Sequence, residues 1–454
     1  MPFKPIASKA ARDRSAPGRG AACCLAGAAW LAGAAGALLT SPAAPDIGLR
    51  PDGFQESPYR DLRLFGAAFH AIRSRAADMR GDGPLIDAAI VGMLAALDRH
   101  SHYLTAAEFR RLDEQDTGSY AGIGVVVDAD GTVRRTLPDA PAARAGLTPG
   151  TIIQEIDGVA IGRIAPDQVA DRLRGEPDST VRVRVVRPGE PAPAEMVLIR
   201  EWLPLHPVRL KALDTVAYLG LDHFDEFTTG RLLRAVANLK AGIGRDRLTG
   251  FILDLRGNPG GLVVQAVAVA GAFLGRGEIV RLVGRDPGSV ERFALDRTGA
   301  DVIDGLPLVV LVDGGTASAA EIVAGALQDH RRAILIGTRT YGKGAVQTTY
   351  AHRDGRALRL TTAWFVTPAG RRVDGNGIAP DRVVTPDGMA AGTQGRLSPE
   401  PGAGGGSLQD GFVADGLIDP SRDRPLTAAV QHLLAVSQVG GGGLIHRNDP
   451  SPNR

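Results

Sequence analysis

Three runs in this chain, "LTGFILDLRG" (248–257), "LPLVVLVD" (306–313) and "RAILIG" (332–337), carry long apolar stretches without polar alternation. A strand with one wet face alternates; an unbroken apolar run of this length belongs to a strand covered on both sides. Between and before them lie "TGRLLRAVANLKAG", "GLVVQAVAVAGAFL" and "ASAAEIVAGALQDH", whose apolar residues recur at helical spacing. Strands alternating with helices in this way predict an α/β layer over about residues 202–388.

Upstream the pattern changes. From Tyr120 short β runs follow one another, "GIGVVVDADGTVRRTL", "TIIQEIDGVAI", "STVRVRVVRPG" and "AEMVLIREWL". Two short helices, in "DAPAARAGLTPG" and "APDQVADRLRGE", interrupt them, so residues 117–201 read as a small β-rich module with two helices. Residues 44–116 read as helical, on "LRLFGAAFHAIRSR" and "PLIDAAIVGMLAALDRH". After residue 388 Gly, Ser and Pro dominate, giving a linker-like tail over 389–454 with one candidate helix, "RPLTAAVQHLLAVSQ". A length of 454 residues accommodates this many parts, since one core does not grow so large.

The first 43 residues read as an export signal. Lys4, Lys9, Arg12, Arg14 and Arg19 precede an uncharged run at 21–39, and Ser41-Pro42-Ala43 supplies small residues for cleavage. The expected location is therefore periplasmic, with inner-membrane association if the segment stays uncleaved. Cys23 and Cys24 are the only cysteines and lie inside this segment, so a cleaved chain has no disulfide, thiol nucleophile or cysteine-held metal. A formal net charge of +2 gives no reason to expect nucleic acid as a partner.

Three short stretches carry the chemistry. "LDLRGNPGG" (253–261) runs a buried strand into a glycine turn, whose backbone can approach a ligand and point amides at it. It lacks the lysine of a phosphate loop and the spacing of a dinucleotide fingerprint, so it reads as an oxyanion-binding turn or a plain tight turn. "DGGTASAAEI" (313–322) places Ser318 in the first turn of a helix, and Glu321 completes the capping-box spacing. Ser318 is thus a helix cap or a nucleophile, and a nucleophile needs a base. Glu321 is a cap partner or a residue lining the site. No histidine lies in a serine-hydrolase or zinc motif, and "HSH" at 100–102 reads as a surface turn or helix end. "GTRTYGKGAVQ" (337–347) offers Lys343 between two glycines; a lysine serves as base only when burial or its neighbours lower its pKa. The alternative is a surface lysine in a turn.

Taken together, "DLRGNPGG", "PLVVLVDGGTASAAEIVAGALQDH", "GTRTYGKGAVQ" and "LRLTTAWFVTPAGRRVDGNGIAPD" resemble the successive signatures of the carboxyl-terminal processing proteases, also called tail-specific proteases. The resemblance extends upstream through "GIGVVV" and "LDRHSHYL", in the family's order, with Arg99 standing where the family usually has proline. It implies a crotonase-like ββα protease core with an inserted PDZ domain and an N-terminal helical region. It also implies Ser318 as nucleophile, Lys343 as general base, Gln347 as the residue orienting the lysine, and the amides of Gly260 and Ala319 as oxyanion donors. Asp329 falls on an acidic position with a supporting role, and Asp313-Gly314 on a variable stretch clear of the chemistry. In the PDZ module, Gly122 and Gly124 would open amides to a substrate's terminal carboxylate, with Ile123 and Val125 lining the pocket. No cofactor or metal is implied. The expected partners are protein substrates with free apolar C-termini, an activator or adaptor protein, and further copies of the chain. Two other readings are a catalytically silent PDZ adaptor and crotonase-type acyl-CoA chemistry; the second leaves the PDZ module unexplained.

Overall fold

In the computed structural model the described residues are 4–5, 57–78, 81–165, 168–190, 192–286, 288–295, 301–386 and 418–440. The expected export signal, with Cys23 and Cys24, falls almost wholly outside them, and residues 389–417 and 441–454 of the tail fall outside them too. The chain divides into two compact units, residues up to Tyr103 and residues from Leu104 onward. The described part of the first unit is led by two helices, Ser57–Arg75 and Asp82–Ala95. Both expose large apolar side chains, Leu62, Leu64, Phe65, Ile72, Val91 and Met93 among them. The "HSH" turn follows, and it is not a surface feature: His100 and Ser101 are buried. The Asp98 carboxylate takes both their N–H groups, at 2.7 and 2.8 Å, and holds the turn shut.

In the second unit, strands Val216–Leu221, Gly250–Asp254, Leu308–Val312, Ile334–Gly337 and Arg382–Val383 pair in parallel, in that order, with Val208–Leu213 antiparallel at one edge. The unbroken apolar runs are explained by their two-sided burial. Phe251, Leu253, Leu308, Val310 and Val312 face one core, while Ile252, Val309 and Leu311 face another. Period-two side chains fill both faces, and each fully buried large side chain contributes roughly 1.5–3 kcal/mol.

Helices Thr228–Ile243, Val263–Leu274 and Ala319–Asp329 cover the first face. Thr228–Ile243 shows how: Leu232, Ala235, Val236, Leu239 and Ile243 form one buried stripe at helical spacing. The second face is covered by the tail. Helix Arg424–Gly440 lays Leu426, Ala428, Ala429 and Leu433 against Tyr218, Ile252, Val309, Leu311 and Ile336. The candidate helix of the Gly-rich tail is thus structural core. An antiparallel sheet of Ala345–Ala351, Ala357–Val366, Gly277–Gly284 and Val290–Leu295, in that order, packs alongside.

The β-rich module has its own core around Ile123, Val133, Ile153, Ile156, Val181 and Val183. Its main sheet runs Val159–Ala160, Ile152–Ile156, Thr180–Val186, Ala194–Ile199, and its helices are Pro141–Arg144 and Val169–Leu173. A two-stranded ribbon, Ser119–Gly122 with Glu201–Pro204, carries the chain in and out.

Candidate active site

Strand Leu308–Val312 ends at Asp313, and the turn that follows is built on that carboxylate. Asp313 Oδ1 accepts the N–H groups of Gly315 at 2.9 Å and Thr316 at 3.1 Å, and of Gly257 in the facing glycine turn at 2.9 Å. The Thr316 hydroxyl donates to the Leu255 carbonyl at 2.8 Å, and the Ala317 N–H to the Asn258 carbonyl at 2.9 Å. Asp313, read from sequence as clear of the chemistry, is therefore a staple between the two turns. Local sequence conceals this role, because the Gly257 partner lies 56 residues away.

Ser318 follows at the mouth of helix Ala319–Asp329, half-buried, with φ 53° and ψ −117°. A non-glycine residue held there stores roughly 1–3 kcal/mol of backbone strain, which persists only when the surroundings over-determine it. The Ala319 N–H, in the first turn, is among the donors with no partner inside the helix, and it lies at the positive end of the helix dipole.

The glycine turn packs directly on this serine. A Cβ added to Gly260 would lie 2.8 Å from Ser318 Cβ and 2.9 Å from the Ala319 nitrogen. Gly260 and Gly261 both have positive φ, 109° and 134°. The Gly260 N–H, expected to face an oxyanion, is instead given to Asn258 Oδ1 at 2.8 Å. Asn258 is fully buried and fixed by its own bond from Nδ2 to the Leu221 carbonyl at 2.9 Å. The next amide, that of Gly261, donates to no group among the described residues.

Lys343 is 7 % exposed, held between Gly342 and Gly344. A Cβ on Gly344 would strike the Asp374 nitrogen at 2.5 Å, which explains the small residue beside the lysine. What brings lysine and serine together is Glu321. Its Oε2 accepts the Ser318 N–H and the Lys343 N–H, each at 2.9 Å, while Oε1 accepts the Gly342 N–H at 2.8 Å and the Thr340 hydroxyl. Glu321 is thus both cap partner and cross-link. Burial pushes its carboxyl pKa up, and the four donors pull the other way. A second tie, Tyr341 N–H to the Thr316 carbonyl at 2.9 Å, joins the same two loops. Gln347 sits half-buried on strand Ala345–Ala351, opposite Thr361 and beside a register shift at Val346/Gln347. Asp329, at the far end of the serine's helix, accepts the Ala369 N–H at 2.9 Å and a guanidinium N–H of Arg371. It fixes the helix end and does not reach the serine's turn by any hydrogen bond of its own.

One buried group gave no sequence signal. His223 follows strand Val216–Leu221, and a Cβ on Gly261 would lie 2.9 Å from its Cε1. Both ring nitrogens are buried without a hydrogen bond, and burial, helped by Arg359, lowers the pKa to about 4. A basic group whose pKa falls on folding is protonated first in the unfolded chain, so its contribution is complete above about pH 6.5 and lost on descent toward pH 4, at about 1.4 kcal/mol per pH unit. Asp116 acts in the opposite sense: burial raises its pKa to about 6, so the folded form gains stability as pH falls from there. We predict that the stability of His223→Leu relative to wild type increases steadily from pH 6.5 to 4, read by chemical denaturation. A pH-independent difference would show that the ring does not titrate as described.

In the β-rich module the whole stretch Tyr120–Val125 is buried. Ile123 and Val125, expected to line a ligand pocket, belong to the module's apolar core. Gly122 fits between the Tyr120 ring and the Leu173 carbonyl, and Gly124 has φ 78° with Ala140 Cβ close by. Arg174 stacks on Tyr120, 4.8 Å from the ring centroid, with Nη1 3.2 Å from Glu114.

Residues 215–384 match peptidase family S41, and residues 132–187 match the PDZ domain. The molecule is a serine-type peptidase of α/β fold that carries a PDZ domain. It is 39% identical over 333 residues to the carboxy-terminal-processing protease of Bartonella bacilliformis, covering 73% of this chain and 76% of that one. To the carboxyl-terminal-processing protease of Synechocystis sp. it is 35% identical over 307 residues, covering 65% and 70%. The chain belongs to the carboxyl-terminal-processing proteases of family S41. Among solved structures, the photosystem II D1 C-terminal processing protease aligns at 30% identity over 72% of this chain and 93% of its own, with a TM-score of 0.42. Among the described residues no helix is long and apolar enough to cross a membrane.

Proposed function

We propose that this protease cuts its protein substrates through a Ser318–Lys343 dyad. The observation that carries the reading is Glu321, one of whose oxygens binds the backbone N–H of both residues. Ser318 Oγ attacks the scissile carbonyl carbon while the neutral Lys343 amine takes its proton. The tetrahedral oxyanion is met by the Ala319 N–H and by the Gly260–Gly261 turn, the Gly260 amide serving if Asn258 releases it and the Gly261 amide otherwise; such a donor contributes about 2.7–4 kcal/mol in other serine proteases. As the C–N bond breaks, the lysine gives its proton to the leaving amine. Water then attacks the acyl-enzyme carbonyl and gives a proton to the lysine; the ester C–Oγ bond breaks, and the lysine returns that proton to Ser318 Oγ as the new C-terminal carboxyl product leaves. Gln347, neutral and four residues beyond the lysine, orients the amine without re-stabilising its charged form.

The PDZ domain is proposed to hold the substrate's free C-terminus as an added strand, its carboxylate on the Gly122–Gly124 amides. Because that stretch is buried here, tail binding opens it. An unfolded reporter ending in apolar residues should therefore be cut faster with a free C-terminal carboxylate than with an amidated one. Equal rates would sink the tail-recognition reading and leave the peptidase intact. The same reading puts the enzyme outside the cytoplasm, on the basic-apolar-small pattern of residues 1–43, which fractionation of cells checks.

A further inference from the structure

The match to family S41 ends at residue 384, yet residues 418–440 cover one face of the catalytic sheet. At the start of this segment the Ile418 carbonyl accepts from Lys211 Nζ at 3.0 Å, and at Asp423 the segment reaches Arg256, the residue immediately before the glycine turn. Arg256 Nη1 and Nη2 donate to the two oxygens of Asp423 at 2.9 and 2.8 Å. On its other side Nε and Nη2 donate to Asp254, at 2.9 and 2.6 Å. The guanidinium is thus clamped between two bidentate carboxylates, one from the end of the central strand and one from the tail. Asp254 is itself fixed, accepting the Tyr218 hydroxyl at 2.9 Å and the Arg256 N–H at 3.0 Å.

From Arg256 the path to the serine is short and continuous. Gly257 is bound to Asp313, the Asn258 carbonyl to Ala317, and Asn258 Oδ1 to Gly260, whose Cα packs on Ser318. A shift of Arg256 therefore moves the turn that faces the reacting carbonyl. Asp423 is a firm anchor, because it also caps helix Arg424–Gly440 by accepting the Leu426 N–H at 3.0 Å. We propose that Asp423 is a positioning residue for the oxyanion turn, acting through Arg256, so that the C-terminal segment sets the turnover rate of a site it does not touch.

The proposal rests on the protease reading above, and its test separates the two. Asparagine is as good a helix cap as aspartate but cannot hold both guanidinium nitrogens, so Asp423→Asn keeps the helix end and loosens the clamp. With a reporter peptide we expect kcat to fall about ten-fold while KM changes by less than about two-fold, the signature of a misplaced transition-state contact. Asp423→Glu should recover much of the loss. Leu433→Ala, which removes apolar contact from the same helix without touching Arg256, should lower the melting temperature more than Asp423→Asn and leave kcat of the folded enzyme unchanged. An unchanged kcat in Asp423→Asn, or an equal fall of kcat in Leu433→Ala, overturns the proposal. A Lys343→Ala enzyme that keeps near wild-type kcat would instead overturn the dyad reading, whatever Asp423→Asn does.

Discussion

Ser318→Ala and Lys343→Ala should each reduce peptide cleavage by about 10⁴-fold or more, and the double variant should be no worse than either single one. The non-additivity matters more than the size. A hydroxyl without a base is as inert as a base without a hydroxyl, so groups that act as one unit lose everything at the first removal. Two independent contributions would multiply. The variants should also fold. Ser318 keeps its backbone position through bonds made by its N–H and carbonyl, to Glu321 and from the amides of Glu321 and Ile322, none of which needs the hydroxyl. Alanine adds no new strain at φ 53°, since it and serine share the same Cβ penalty. Lys343 is likewise held by its N–H on Glu321, so its truncation leaves the loop tied. Single-turnover kinetics on the reporter, with circular dichroism and thermal melts as the control for folding, read the result. A double variant much slower than both singles would mean that serine and lysine act separately, and a Lys343→Ala enzyme with near wild-type rate would dismiss the lysine as base.

How much of this could be read from sequence follows from how far apart the partners lie. The unbroken runs at 250–254 and 308–312 carry their own evidence of two-sided burial, so the layered α/β core was legible without any contact being known. The serine and lysine turns were legible too, because glycines and a helix start leave local marks. The ties between them were not. Glu321 satisfies the local capping pattern with Ser318 three residues away, which conceals its bonds to Thr340, Gly342 and Lys343 some twenty positions on. Asp313 reads as an ordinary turn aspartate until Gly257 is seen to donate to it. Asn258 looks like one more polar residue in a turn, and only its geometry shows that it occupies the Gly260 amide. His223 carries no pattern at all, being one imidazole at a strand end. The tail helix was visible as a helix, but nothing in its spacing says which sheet face it covers.

Glu321→Gln tests the cross-link itself, and changes at this carboxylate are expected to rank next after loss of the serine or lysine. The carboxylate offers acceptors on both sides: Oε2 for two backbone N–H groups, and Oε1 for one N–H and one hydroxyl. An amide has one oxygen, so its NH₂ must face donors on one side. The lesser conflict puts the oxygen toward Ser318 and Lys343 and the NH₂ toward Gly342 and Thr340, where the hydroxyl can turn to accept but the Gly342 N–H cannot. One buried donor is then left facing another, at about 1–3 kcal/mol. The loop relieves this by moving Gly342, the residue next to the proposed base, and a displacement on the order of 1 Å can cost about a hundred-fold in rate. We therefore expect kcat to fall by about that factor, with KM nearly unchanged and stability lower by about 1–3 kcal/mol in chemical denaturation. Glu321→Ala should be worse on both counts, because all four donors lose their partner inside a buried site. Loss of stability with full kcat would show that the carboxylate only holds the fold together, and that serine and lysine find each other by another route.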